Sequence, residues 1–328
     1  MKKFIAVILS LVMMLSLTAC GAKEESLTPT GTSFDVAIIQ QLDHSSLDEI
    51  RTAIEAQLKA LAAEKNMAIN ITYDNGQNDT SMLTQIATQV VADKPDMIIP
   101  IATLAAQYAV LAAENTDIPI VYAAISDPES AGLTGLANVT GVSDALNTPF
   151  ILDMMLAAQP DVKSVGLLYS TSEINSLTPI AQAKEYLDAK GIAYIEKTGT
   201  TSGEITEAAA SLVGRVEAVF TPTDNAVMAA EASVAELLNA AGIAHYTGAD
   251  SFVQSGAFTT CGVNYTELGT KVGDIAFDIL QGGPIGEFVV MDGGIITVNT
   301  DTAEACGIDY SVFNTMANTV NAVTTVVD

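Results

Sequence analysis

From Phe34 to Gly248 the chain alternates two kinds of segment, and this alternation constrains the fold more than any other feature. FDVAIIQ (34–40) is a short apolar run, as expected of a buried strand. Ser46 to Asn66 follows, with Leu47, Ile50, Ile54, Leu58 and Leu61 recurring at helical spacing. Ser46 and Glu49 predict a capping box at its start. AINITYD (68–74), DMIIPIA (96–102) and IPIVYAA (118–124) read as strands, and 81–93 and 103–115 as the helices between them. The pattern restarts after Asn147. Helices are predicted over 149–159, 177–190, 202–213 and 225–241, and strands over 164–170, 192–198, 218–222 and 243–248. Such β-α-β runs predict an α/β protein with parallel sheets covered on both faces, in two doubly wound, Rossmann-like lobes. The tail is less regular. It has a helix over 265–280, a turn at 281–284 and two short strands in 288–298 around Asp292-Gly293-Gly294. No pattern is legible after Asn314.

A leader precedes this region. Lys2 and Lys3 stand before an almost wholly apolar run to Leu17, shorter than the roughly 20 residues a membrane span needs. Leu17-Thr18-Ala19-Cys20 resembles a bacterial lipobox. Residues 1–19 are therefore expected to be a signal peptide. Cys20 is expected to carry the lipid that anchors the exported protein, and 20–33 to form a polar tether.

Composition narrows the partners. The formal charge is −26, and −28 once Lys2 and Lys3 leave with the leader. A surface this acidic repels nucleic acid and anionic membranes. Cys261 and Cys306 remain after Cys20, expected as buried thiols although an oxidising compartment also permits a pair. His44 and His245 have no metal-ligand spacing. No metal or cofactor is expected.

Ligands of open parallel sheets bind at the carboxyl ends of the strands. The segments there are Gln41 to Ser46, Thr103, Ser126-Asp127-Pro128, Ser170 to Ser176, Thr221 to Asn225 and Gly248 to Ser251. They are rich in hydroxyls, amides and aspartates. Helix N-termini suit a carboxylate and aspartates suit an ammonium, so together they suit a zwitterion. The same residue types also serve as plain helix caps. Asp43-His44-Ser45 is not a hydrolase triad, and neither a GxSxG elbow nor a Gly-rich phosphate loop exists. An enzyme is not expected.

Several stretches resemble one family: DHSSLDEIRTAI (43–54), IATLAAQ (101–107), IPIVYAAISDP (118–128), NVTGVSD (138–144), LLYSTSEINS (167–176), PTDNAV (222–227) and GVNYTELG (262–269). The chain is similar to the substrate-binding lipoproteins of ABC importers of the tryptophan/tyrosine type. That resemblance implies the type I periplasmic-binding-protein fold, with two lobes joined by a three-crossing hinge. Lobe 1 would hold 34–146 and 264–283, and lobe 2 147–263 and 284–328, with crossings near 145–149, 261–264 and 283–287. It also implies a ligand between the lobes. Asn175 and Ser176, with Ser172 nearby, would meet its carboxylate, and Asp250 or Asp127 its ammonium. Thr223 and Asp224 would line one strand end, and Gln40, Asp43, His44 and Thr103 would face the cleft from lobe 1, beside Ser126. The chain departs from the family at Gln41, where an aromatic residue is usual. It departs also at Ser45 and Leu104, where proline is usual, and at Asn264, a hinge position usually aspartate. It has no tryptophan and is 5% aromatic.

The expectation is a monomeric binding lipoprotein that delivers an amino acid-like ligand, aromatic or otherwise, to ABC permease subunits. A ligand-sensing module for a membrane receptor, or a binder of another solute such as a nucleoside or sugar, remains an alternative.

Overall fold

The computed structural model describes residues 32–326; the leader, Cys20 and most of the expected tether lie outside them. Strand β1 (Ser33–Gln40) takes in the last tether residue. It is followed by α1 (Ser45–Glu64), β2 (Ala68–Asn75), α2 (Thr80–Asp93), β3 (Met97–Ile101), α3 (Thr103–Ala112), β4 (Ile120–Ala123) and β5 (Val139–Ser143). The second half runs α4 (Thr148–Ala158), β6 (Ser164–Tyr169), α5 (Leu177–Lys190), β7 (Ala193–Thr198), α6 (Ser202–Ala210), β8 (Ala218–Thr221), α7 (Asn225–Met228), α8 (Glu231–Ala240), β9 (Ala244–Thr247), α9 (Asp250–Gln254) and β10 (Thr259–Gly262). The tail adds α10 (Tyr265–Leu280), β11 (Val289–Val290), β12 (Ile295–Asn299), α11 (Thr300–Cys306) and β13 (Thr319–Val323).

Two sheets form, one per lobe. The first has the order β11-β5-β4-β3-β1-β2 and every described pairing in it is parallel. The second has the order β13-β12-β10-β9-β8-β6-β7 and is parallel except where β12 runs against β10. Alternation along β1 explains the layering. Val36 and Ile38 pack with Ile50 and Ile54 of α1, while Ala37 and Ile39 pack with Leu83, Ala87 and Ala105 on the other face. These lobes match the fold of type I periplasmic binding proteins.

The tail corrects the sequence reading. The two short strands expected around Asp292-Gly293-Gly294 form, but in different sheets. β11 pairs with β5 in the first sheet and β12 with β10 in the second. The third passage between lobes is therefore 291–294, not 283–287, and 284–290 sits with lobe 1. The two-residue pairing of β11 is too little pattern to assign it to a lobe from sequence. The illegible C-terminus is β13, which extends the second sheet beside β12. The predicted helix over 225–241 is two, α7 and α8, broken at Ala229–Ala230. The capping box fails too. α1 starts one residue early with His44 as N-cap, and Ser46 lies inside the helix and donates instead to Asp250. Cys261 is buried, Cys306 half-buried, and both are unpaired.

Helix α10 follows a strand of lobe 2 but packs on α1 of lobe 1. Glycines make that approach possible. A Cβ on Gly269 would lie 2.5 Å from the Ile50 carbonyl oxygen and 2.7 Å from Ala53 Cβ. Gly269→Val is expected to force the helices apart and lower stability by about 1–3 kcal/mol. Denaturant unfolding would measure it; an unchanged midpoint would show that the close packing contributes nothing.

Candidate functional site

The carboxyl ends of both sheets face each other across one cleft. Local chain geometry sets its walls. Ala102 (φ 72°) ends β3 and Ala124 (φ 56°) follows β4, both in the left-handed region that side chains avoid. These turns send the backbone sharply into Thr103 and towards Ser126. On lobe 2, Asp224 caps α7 through Val227 N (2.9 Å) and also accepts from Ser170 N and Ser176 Oγ, both at 2.7 Å. Buried Glu231 and His245 (2.9 Å) steady the strand ends from behind, with His245 Nε2 2.8 Å from Thr221 Oγ1.

The lobes touch through hydrogen bonds. Gln41 Nε2 donates to Glu173 Oε1 at 2.8 Å, while Gln41 Oε1 accepts from Leu104 N at 3.0 Å. His44 Nε2 lies 3.3 Å from Asn225 Oδ1. Ser126 Oγ lies 2.8 Å from Thr223 Oγ1 and donates to Asp144 Oδ1 at 3.0 Å. At the rim, Thr178 Oγ1 donates to Asp127 Oδ2 at 2.6 Å. Between these contacts is a tight cavity. Its volume is about 30 Å³. Polar groups from His44, Thr103, Ser126, Asp144, Asn175, Thr223, Asp224 and Ser251 meet an apolar wall that includes Leu47, Met228 and Phe252.

Its electrostatics are acidic. No Lys or Arg lines the cavity. Asp144 is buried, accepts from Ser126 and, at a long 3.4 Å, from Tyr265, and its pKa is raised by burial. Glu173, just behind the wall, is pushed up to about 8 by burial and then by the charge of Asp224. Burial lowers His44 to about 4, which keeps it neutral. Buried His44 Nδ1, Asn175 Oδ1 and Ser251 Oγ have no hydrogen-bond partner among the described residues.

A family described as ABC transporter substrate binding protein matches residues 35–317. The chain belongs to this family. A tyrosine-binding protein of Clostridioides difficile (strain R20291) is 32% identical over 319 residues, which cover 93% of this chain and 92% of that protein. A Streptococcus pneumonia ABC domain solved in complex with L-Trp is 27% identical with a TM-score of 0.81, covering 88% of this chain and 99% of that one. A ligand-free, open substrate-binding protein with adhesive properties from Clostridium difficile is 32% identical, covering 89% and 100%, yet its TM-score is 0.67. The more similar sequence thus has the less similar shape, and the cross-cleft contacts explain why: this structure is closed. The protein is a substrate-binding protein of an ABC transporter, a family that binds for transport outside the cytoplasm.

Of the residues expected at the site, His44, Thr103, Ser126, Asn175, Thr223 and Asp224 line the cavity. Asp224 does so as scaffold, its oxygens already occupied by its own lobe. The others do not line it. Gln40 is buried and ties the loop after β1 together through Leu42 O and Asp48. Asp43 is exposed and accepts from Tyr73. Asp127 forms the rim contact, Ser172 is exposed against Ser170, and Ser176 is spent on Asp224. Asp250 is engaged by Ser46, and Asn264 caps α10. The expected contacts omit Asp144, Glu173, Asn225 and Ser251, and Gln41 stands out in the sequence only as a departure from the family. Asp144, Glu173 and Asn225 lie inside NVTGVSD, YSTSEINS and PTDNAV, which held the signal. Asp144 was missed because Val139–Ser143, with its Thr and Gly, does not read as a strand, so no strand end was expected there.

Glu173 links stability to pH. Its pKa is raised above the ordinary 4.5, so its neutral form favours the folded state. That stability is full below 4.5 and declines as pH rises towards about 8. Glu173→Gln is expected to flatten this decline in melting temperature against pH. Identical slopes in the two proteins would show that Glu173 is not the titrating group.

Proposed function

We propose that the cleft binds an α-amino acid with an aromatic side chain, tyrosine or tryptophan, and hands it to the permease of an ABC importer. The observation that carries this reading is Asp144, a buried carboxylate in a cavity that no Lys or Arg among the described residues lines. It is the natural counter-ion for an ammonium, since buried charges need a partner. Asp224 is less suited, because its oxygens are already hydrogen-bonded. Ser251 and the helix N-terminus at Thr103 offer donors for the carboxylate, while the unpartnered Asn175 Oδ1 is an acceptor that suits the ammonium. Leu47, Met228 and Phe252 supply an apolar wall for a ring, Met228 with a polarisable sulfur. The tyrosine-binding and L-Trp-bound relatives support the same class. The cavity is tight, so the bound side chain sets how far the lobes close.

Calorimetry on the chain without its leader would test this. Tyrosine or tryptophan is expected to bind, and glycine, ribose and nucleosides not. Asp144→Asn is expected to cost about 2 kcal/mol or more, roughly thirtyfold in affinity. Binding of a sugar or nucleoside instead, or full affinity in Asp144→Asn, would overturn the reading.

The proposal extends to delivery. The protein works as a monomer, held at the outer face of the membrane by lipid on Cys20. No helix among the described residues is long and apolar enough to cross a membrane. Cys20→Ser is expected to remove the protein from the membrane fraction of expressing cells. Undiminished membrane association would exclude the lipid anchor.

A further inference from the structure

A second pocket lies beside the ligand cavity, on the hinge side of the cleft. It is separate from the first and has a volume of about 140 Å³. Glu49 reaches it from α1 of lobe 1, and Asp250 from the start of α9 in lobe 2. None of its lining residues is Lys, Arg or His, and neither carboxylate has an ion-pair partner among the described residues. Thr266 donates to Glu49 and Ser46 to Asp250, but these are neutral groups. Closure therefore gathers two negative charges with nothing positive between them.

The floor of the pocket adds neutral oxygens. Thr260, Thr297 and Asn321 stand in register on β10, β12 and β13, so they form a row across the sheet, and all line the pocket. Thr260 is 1% exposed and its hydroxyl has no partner. Gly262, next on the same face of β10, keeps the space above it open. A Cβ there would lie 4.0 Å from Thr260 Oγ1 and within the pocket. An unpaired buried hydroxyl costs stability unless something meets it.

We infer that this pocket binds a divalent cation through Glu49, Asp250 and the hydroxyl row, and that the ion bridges the lobes in the closed state. The donors are all oxygen, which selects a hard cation. Their irregular spacing suits Ca²⁺, which accepts six to eight ligands in flexible geometry, better than Mg²⁺, which demands near-ideal octahedra. The two carboxylates come from different lobes, so the ion holds the clamp shut and raises ligand affinity. This last step rests on the reading of the cleft as an amino acid site. The binding of the ion itself does not.

The test has two arms. In the first, Tb³⁺ and Ca²⁺ are added to the chain without its leader and without amino acid. Tyr265 lines the pocket, so bound Tb³⁺ should luminesce on tyrosine excitation, and Ca²⁺ should displace it. The dissociation constant for Ca²⁺ is expected on the order of 10⁻⁴ to 10⁻³ M, as in extracellular modules. Glu49→Gln and Thr260→Val should each abolish or weaken the signal while the melting temperature in chelator stays near that of the parent. In the second arm, saturating Ca²⁺ should tighten amino acid binding about tenfold in the parent and not in Glu49→Gln. No Tb³⁺ signal, a signal unchanged in both variants, or an equal response to Na⁺ at matched ionic strength would overturn the inference. Ion binding without any amino acid binding would leave the site standing and refute the reading of the cleft instead.

Discussion

The closed structure depends on polar groups of one lobe being satisfied by the other. Gln41 meets Glu173, His44 meets Asn225, and Thr223 joins Ser126, which joins Asp144. Between buried side chains each of these bonds counts for more than at the surface, and each broken one leaves a buried group unpaired. The contacts are short and directional, so they define one closed geometry and not a range of them. Both carboxylates in this network have raised pKa values from burial, which keeps the cleft from filling with unbalanced charge.

Most of the fold was legible because parallel sheets write themselves clearly into a sequence. Strands buried on both faces are continuous apolar runs, and the intervening helices keep a strict period. The predicted helices at Leu177–Lys190 and Tyr265–Leu280 coincide with α5 and α10. What failed was short or mixed. Val139–Ser143 is buried but diluted by Thr and Gly, and Thr319–Val323 is partly exposed at a sheet edge. Val289–Val290 was legible as a strand, but its two residues carry no sign of which sheet they join.

The site was legible as a set of loops rather than as a set of contacts. Strand ends identified the segments correctly, but which side chain in each segment faces the cavity depends on hydrogen bonds the sequence does not display. Asp224 and Ser176 looked like ligand contacts and are bonded to one another. Asp250 looked like the counter-ion, yet the cavity wall contains Asp144. Asp224 and Ser176 were already committed to the scaffold, and Asp250 faces the neighbouring pocket instead.

The start of β1 has a mechanical meaning. Ser33 lies at the amino end of a central strand, paired with β2 and β3, and therefore at the pole of lobe 1 opposite the cleft. A load applied at Ser33 acts on that pole along the strand direction and not across the hinge. Such a load runs down the ladder of β1 in shear and leaves the facing walls of the cleft free to part or meet.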